Sequence, residues 1–306
     1  IKMKQLHRRY YFIVNIFANT GPEASRILSR LLKQSKLDYK IFKTSRHYNI
    51  KDIVQKIQDS LHNRDIIISV GGDGSLGDLV QALKEAGLAN PVGVLPAGSG
   101  NDFIRAHQVS TKFEEAFDHL LQVQKPVIND LILVENTKGK AYVVNSIGVG
   151  IDGRVIANLS QDKSRHKFGP LTYLTSAIEA LFHQSPFDAR IKILGREIEV
   201  KKTPIILFMN HGSLGGGIQI NPQADPTDGY MDIIFANDLS VWDLLALVVK
   251  IFTSKDQLNH PRVYQVRAKQ VEVQVKSHEY WQADGESLGS NQQTYKLSSL
   301  KQSYWI

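Results

Sequence analysis

The sequence predicts an α/β domain followed by a β-rich one. Through about residue 125, apolar strand-like runs alternate with stripes at helical spacing. Two of those runs, "DIIISV" and "PVGVLP", lead straight into glycine-rich loops. Beyond about residue 126 the pattern becomes many short strand-like runs with few helical ones. Together these give an N-terminal three-layer parallel α/β domain over 1–125 and a C-terminal β-sandwich over 126–297.

In order, "YYFIVN" (10–15) reads as a strand and 21–35 as a helix, with Ile27, Leu28, Leu31 and Leu32 on one face and Pro22 near its start. "YKIFKT" (39–44) is a second strand. Asn49 can cap a helix over 50–63 with Ile50, Ile53, Val54, Ile57 and Leu61 as its apolar stripe. "DIIISV" is unbroken apolar, as suits a parallel strand covered on both faces. A helix over 75–87, closed by Gly87, and the strand "PVGVLP" (91–96) complete the rhythm. Later strands are read in "PVINDLILVE", "KAYVVNSIGVG", "FDARIKIL", "REIEVKK", "PIILFMN", "GYMDIIFAN", "YQVRAKQVEVQVK" and "YKLSS", and helices around 168–183 and 241–252.

Composition narrows the function. With no cysteine among 306 residues, disulfides and cysteine-ligated metal sites are excluded, and a reducing compartment is expected. No run approaches the ~18 apolar residues of a membrane helix. No cleavage-site pattern marks the start, where Met3 reads as the first natural residue. The net charge is +7, yet residues 1–64 carry 14 Lys and Arg against four Asp and Glu. Such a basic front end suits anionic partners. Nucleic acid is not expected, because no helix-turn-helix, RNP or zinc-finger pattern occurs.

In the loop that opens Gly71-Gly72-Asp73-Gly74-Ser75, "GDGSLG" (72–77) matches GxGxxG between a strand and a helix, but Asp73 is repulsive beside a bare pyrophosphate. No ribose-binding acid ends the next strand, and no Walker GK[ST] occurs. That next strand opens instead into a second loop, "PAGSGNDF" (96–103), containing Gly98, Ser99, Asn101 and Asp102. Both loops leave the same sheet edge, where ligands of open α/β sheets lie. Two such loops can converge on one polyphosphate, with Asp73 and Asp102 as metal-side or hydrogen-bonding groups.

"GGDGS" and "PAGSGNDF", followed by "NSIGVGID" (145–152), "ADPTDGYMD" (224–232) and "ADGE" (283–286), resemble in order the motifs of the diacylglycerol kinase catalytic superfamily, more narrowly the soluble bacterial lipid kinases of that type. The resemblance implies an ATP-binding α/β domain joined by the C-terminal tail 298–306, a β-sandwich lipid domain and a cleft between them. It implies Mg²⁺-dependent transfer of the ATP γ-phosphoryl group to a lipid hydroxyl, with diacylglycerol as the leading acceptor. Phosphatidylglycerol, a sphingoid base, NAD or a noncatalytic regulatory role are the alternatives. Carried over, the ATP site includes Asn15, Thr44, the 72–78 loop and Ser99. Both loops carry Ser where the family has Thr, "NIFANTG" (15–21) lacks the family's proline, and Gly77 replaces an Asn.

The same resemblance implies a structural Mg²⁺ held by Asp228 and by carbonyls at Asp225 and Tyr230, with Asp130 in an acidic network beside it. Asp228-Gly229 and Asp284-Gly285 are also plain turn signals. Phosphoryl transfer needs an acceptor for the hydroxyl proton. Glu286 is favoured for it and Asp284 expected nearby, in an extended segment that would point both to one side. A cytoplasmic enzyme that visits the inner membrane face is implied. Arg8, Arg9, Lys163, Arg165 and Lys167 are candidates to meet anionic headgroups, and a homodimer is compatible with the resemblance.

Overall fold

Four parallel strands carry the first part of the chain. β1 (Arg9–Val14), β2 (Asp38–Lys43), β3 (Ile66–Gly71) and β4 (Val92–Pro96) stand in the order β2-β1-β3-β4. Register sets Arg9 beside Asp38, Tyr10 beside Ile66 and Ile67 beside Val92. The computed structural model describes residues 8–161 and 185–306, with Ser176, Glu179, Ala180 and His183 between them. The chain divides into unit 1, Ile1–Ile128 with Gln302–Ile306, and unit 2, Asn129–Lys301.

Strand alternation sorts unit 1 into layers. Phe12, Val14, Ile66, Ile68 and Val70 face α1 (Gly21–Gln34) and α5 (Phe113–Gln122), through Leu28, Leu32, Phe117 and Leu120. On the other face, Tyr11, Ile13 and Ile67 are equally buried. There α3 (Asp73–Glu85) packs on β3 and on α2 (Ile50–Ile57). Trp305 joins the first of these cores; its backbone N–H donates to the Val92 carbonyl at 2.8 Å and its indole N–H to that of Leu120 at 3.3 Å. Between α3 and α5 lies the five-residue α4 (Asp102–Ala106).

Asn49 caps α2 in a reciprocal box. Its side chain accepts from the Asp52 N–H at 3.0 Å, and the Asp52 carboxylate accepts from the Asn49 N–H at 2.8 Å. The helix ends at Ile57 and tightens into one 3₁₀ turn, shorter than the expected 50–63. A turn at Asp65, whose carboxylate accepts from the His62 N–H at 2.9 Å, follows it.

Unit 2 is a β-sandwich. One sheet runs β14 (Val263–Ala268), β13 (Met231–Ala236), β10 (Ile205–Met209), β7 (Ser146–Gly150), β16 (Glu279–Ala283), β17 (Glu286–Asn291). Facing it are β8 (Phe187–Ile193), β9 (Arg196–Thr203), β15 (Gln270–Val275) and the first part of β18 (Thr294–Tyr304), paired antiparallel. The β5 (Val127–Asn136) and β6 (Gly139–Val143) hairpin adds Ile132, Val134 and Val143 to the same core. Phe208 points into that core, whereas its neighbours Leu207 and Met209 pack under α6 (Ile151–Gln161). Strand β10 is covered on both faces, which explains its unbroken apolar run. Among the described elements, the remaining strands are the short pair β11 (Ser213–Leu214) and β12 (Ile218–Gln219), and the remaining full α-helix is α7 (Val241–Phe252).

Two expected single strands are each broken in two. "KAYVVNSIGVG" divides into β6 and β7 because the N–H groups of 144–146 turn to the Asp284 carboxylate instead of a ladder. "YQVRAKQVEVQVK" divides into β14 and β15, which belong to opposite sheets of the sandwich. Most of the helix expected over 168–183 lies outside the described residues. No described helix is long and apolar enough to cross a membrane.

Removing the α2 box tests how far local signals set unit 1. Asn49→Ala is expected to cost about 1 kcal/mol, read as a lower urea midpoint with an unchanged slope.

Candidate active site

Every strand of the parallel sheet ends on a residue of one polar cluster. Asn15 follows β1, Thr44 follows β2, Gly71 ends β3 and Ala97 follows β4. The Asn15 amide donates to the Ser75 hydroxyl at 2.8 Å, and its carbonyl oxygen accepts from the Phe17 N–H at 3.0 Å and the Thr44 hydroxyl at 3.4 Å. The Ala97 N–H donates to the Gly71 carbonyl at 2.8 Å, stitching the third strand exit to the fourth.

The two glycine loops are locked to each other by Asp73. One of its oxygens accepts from the Asp102 N–H at 2.9 Å and the other from the Phe103 N–H at 3.0 Å. Asp73 thus caps α4 from another loop and satisfies donors that a helix start leaves open. Glycine is required at the contact: a Cβ on Gly72 would lie 2.9 Å from the Gly98 Cα, and one on Gly98 would overlap the Gly72 Cα. Asn101, left-handed at φ 54°, donates to the Gly98 carbonyl at 2.9 Å, while its own buried side-chain oxygen has no hydrogen-bond partner among the described residues. Gly74, Ser99 and Gly100 are partly exposed on this surface. α3 starts on Gly72, which has no side chain to cap its first-turn N–H groups.

In unit 2, the β16–β17 hairpin turns at Asp284 and Gly285, with φ 49° and 81°. Consecutive left-handed residues make the turn type that Asp-Gly favours. The Asp284 carboxylate accepts from three successive backbone donors: Val144 at 2.6 Å, Asn145 at 2.7 Å and Ser146 at 3.1 Å. Asp284 and Glu286 therefore do not share one side of an extended segment; the first sits in the turn and the second begins β17, exposed.

Around the Asp284 loop lies a buried polar set. A ring nitrogen of His211 lies 2.7 Å from the Asn145 side-chain oxygen, and the Asn210 amide donates to the Val144 carbonyl at 2.8 Å. The Gln282 amide donates to Asp152 at 2.6 Å, and its own oxygen accepts from the Gly285 N–H at 2.9 Å. Sequence reading did not single out these side chains. The signal available was the polar residues inside the quoted "NSIGVGID" and the Asn-His pair ending β10.

Residues 9–129 match the diacylglycerol kinase catalytic domain, and residues 145–299 match the YegS C-terminal NAD kinase beta sandwich-like domain. The chain belongs to the diacylglycerol kinase catalytic superfamily. A "putative lipid kinase" of Staphylococcus epidermidis is 29% identical over 201 residues, covering 66% of this chain and 62% of that protein. A "putative lipid kinase" of Staphylococcus aureus is 26% identical over 210 residues, covering 69% of this chain and 65% of that one. The chain thus matches less than two thirds of the length of these curated relatives. Two Bacillus anthracis structures, titled as a putative diacylglycerol kinase and as a diacylglycerol kinase, share the fold. The first has TM-score 0.75 at 19% identity, covering 96% of this chain and 93% of that one; the second has 0.69 at 18%, covering 99% and 98%.

The Mg²⁺ turn expected of this superfamily is built differently here. Asp228 forms an ion pair with Arg267 and accepts from the Tyr230 N–H at 2.8 Å. Asp225 accepts from the Thr227 hydroxyl at 2.6 Å and its N–H at 2.8 Å, which together hold the Asp225 carboxyl below its usual range. Buried Asp130 accepts from the Gly229 N–H at 2.9 Å and from the Lys301 ammonium at 2.7 Å, and Lys301 also donates to the Thr227 carbonyl at 2.8 Å. Arg267 and Lys301 already bring the positive charge that a divalent ion would supply. Both cations sit on carboxylates at or beside the expected metal position, Arg267 on Asp228 and Lys301 on Asp130.

Of the candidate headgroup contacts, Arg8 stacks on the Trp305 ring at 4.7 Å, and Arg9 pairs with Asp38 at 3.3 Å and donates to the Tyr11 hydroxyl at 3.2 Å. Both are thus engaged within unit 1. Lys163, Arg165 and Lys167 lie outside the described residues.

The Asp130–Lys301 pair makes the 225–230 turn testable. Lys301→Met leaves a buried carboxylate without its cation and is expected to cost about 3 kcal/mol. Thermal unfolding with and without added Mg²⁺ reads it, and wild type is expected to melt alike in both.

Proposed function

We propose that this chain transfers the γ-phosphoryl group of ATP, taken as its magnesium complex, to a lipid hydroxyl, with diacylglycerol as the acceptor. The observation that carries the reading is the Asp73 lock, which holds two glycine loops and an uncapped helix start together at the carboxyl end of a parallel sheet. Backbone N–H groups at a helix start and in glycine loops favour phosphate oxygens. In this reading Gly72, Gly74 and Ser75 take one side of the polyphosphate and Gly98, Ser99 and Asn101 the other. Asn15 and Thr44 fix Ser75 through the chain of hydrogen bonds that joins them. Asp73 acts as a positioning residue, since both its oxygens hold backbone donors.

The acceptor oxygen forms the new bond to the γ-phosphorus as the bond to the β–γ bridging oxygen breaks, and ADP leaves. The hydroxyl proton goes to a carboxylate, and Glu286 is the one we assign. Its exposure supports this choice, whereas Asp284 is bound to three backbone donors that shape the loop. Asp284 then serves to place the hairpin that carries Glu286.

The test is γ-labelled ATP supplied with diacylglycerol, phosphatidylglycerol and sphingoid-base vesicles and with NAD. Label is expected in a chloroform-extractable product made from diacylglycerol. Label appearing only in NADP overturns the lipid reading, and ATP binding without transfer to any acceptor makes the chain a regulator.

Two variants separate the roles. Glu286→Gln is expected to bind ATP normally yet lose about 10²-fold or more in turnover; full activity removes it as proton acceptor. Asp73→Ala is expected to abolish turnover by freeing one loop from the other, while losing only about 1–2 kcal/mol of stability.

A further inference from the structure

Helix α7 (Val241–Phe252) is apolar nearly all round. Inward, Leu244, Leu247, Val248 and Ile251 line a cavity of about 160 Å³ together with Leu207 and Ile234. Outward, Trp242 is 79% exposed, Val249 59% and Phe252 49%, with Leu245 and Ala246 between them at helical spacing. Only two charged side chains belong to the helix, and both are engaged. Asp243 completes the Ser240 capping box and faces His260 and Arg262, and Lys250 pairs with Asp256 at 3.2 Å. A helix apolar on every side lies inside a protein or against lipid, and here the described residues cover one side only.

We propose that the outer face of α7 docks this chain onto a lipid bilayer. Three observations favour lipid over a protein partner. Trp, Val and Phe offer area without hydrogen-bonding capacity beyond one indole N–H, whereas a protein interface carries about one hydrogen bond per 100–200 Å². Tryptophan suits the boundary between headgroups and hydrocarbon, and exposed Lys255 follows the helix where anionic headgroups would lie. Directly beneath the helix, the cavity is walled by hydrocarbon apart from Gln257; a dry cavity of about this size accepts apolar guests. The choice of bilayer as occupant rests on the lipid-acceptor reading above, and the experiment separates the two.

The chain contains three tryptophans, and Trp281 and Trp305 are buried at 0% and 2% exposure. Trp242 is therefore a built-in reporter. The full chain is mixed with vesicles of phosphatidylcholine containing a minority of phosphatidylglycerol. Emission is expected to move to shorter wavelength and to be quenched by brominated acyl chains. The double variant Val249→Glu, Phe252→Glu is expected to bind the same vesicles about tenfold or more weakly. It should keep its melting temperature and its ATP-dependent labelling of a short-chain diacylglycerol presented without vesicles.

Unchanged emission with vesicles, or equal binding by the double variant, overturns the docking assignment. So does a blue shift that grows with protein concentration in the absence of lipid, accompanied by a doubling of mass that the variant abolishes; α7 would then face a second copy. If wild type binds vesicles through Trp242 yet labels no lipid, docking stands and the acceptor reading fails. Lipid labelling without any emission change has the reverse meaning.

Discussion

Asp73 is the constraint on which the first unit's candidate site depends. Both loops are rich in glycine, and α4 is only five residues long, far below the length at which a helix is stable alone. One carboxylate solves both problems by accepting two N–H groups at the start of α4 from a position at the start of α3. A capping carboxylate of this kind contributes about 1–2 kcal/mol in all. The Gly72–Gly98 contact sets the distance over which Asp73 must reach, so the lock and the glycines are one device.

A second carboxylate does similar work in unit 2. Asp284 sits at the tip of a hairpin and gathers three successive N–H groups from the segment between β6 and β7. Those donors are thereby withdrawn from any ladder, and a run of eleven residues that reads as one strand becomes two strands in different sheets. The turn also fixes where β17 begins and hence where Glu286 stands. Backbone shape in both units is thus set by acidic side chains acting on N–H groups at a distance in sequence.

That fact explains how much was legible in the sequence. The parallel strands, α1, α2 and the α/β-then-β order follow from local period and capping, as Asn49 and the stripe from Ile50 to Ile57 illustrate. The glycine loops were visible because their composition is extreme. What could not be read was which groups the acids would meet: Asp73 finds Asp102 and Phe103, Asp284 finds Val144 to Ser146, and Asp130 finds Lys301, 171 residues away. Such pairings arise from topology, and no window of sequence contains both partners. Helix α6 opens Ile-Asp-Gly-Arg, which reads as a turn after β7, so Val155, Ile156 and Leu159 were not joined into a helical stripe. At the 225–230 turn the motif contained Asp228 but not Lys301 and Arg267, which lie outside it and enter its electrostatics.

The distribution of these partners also bears on chemistry. Asp73, Asp130 and Asp284 each spend their oxygens on N–H or ammonium donors that shape the backbone around them. Glu286 is set apart from them, at the start of an exposed strand segment and next to a turn whose geometry is fixed by a neighbour. A proton acceptor needs a lone pair open to the hydroxyl together with a backbone that does not move, and bonds that satisfy the acceptor itself defeat the first need. Holding the hairpin through Asp284 while leaving Glu286 unburied meets both. Under the proposed function the motif Asp-Gly-Glu divides the labour: a rigidifying acid, a residue that permits the turn, and the acid assigned to the proton.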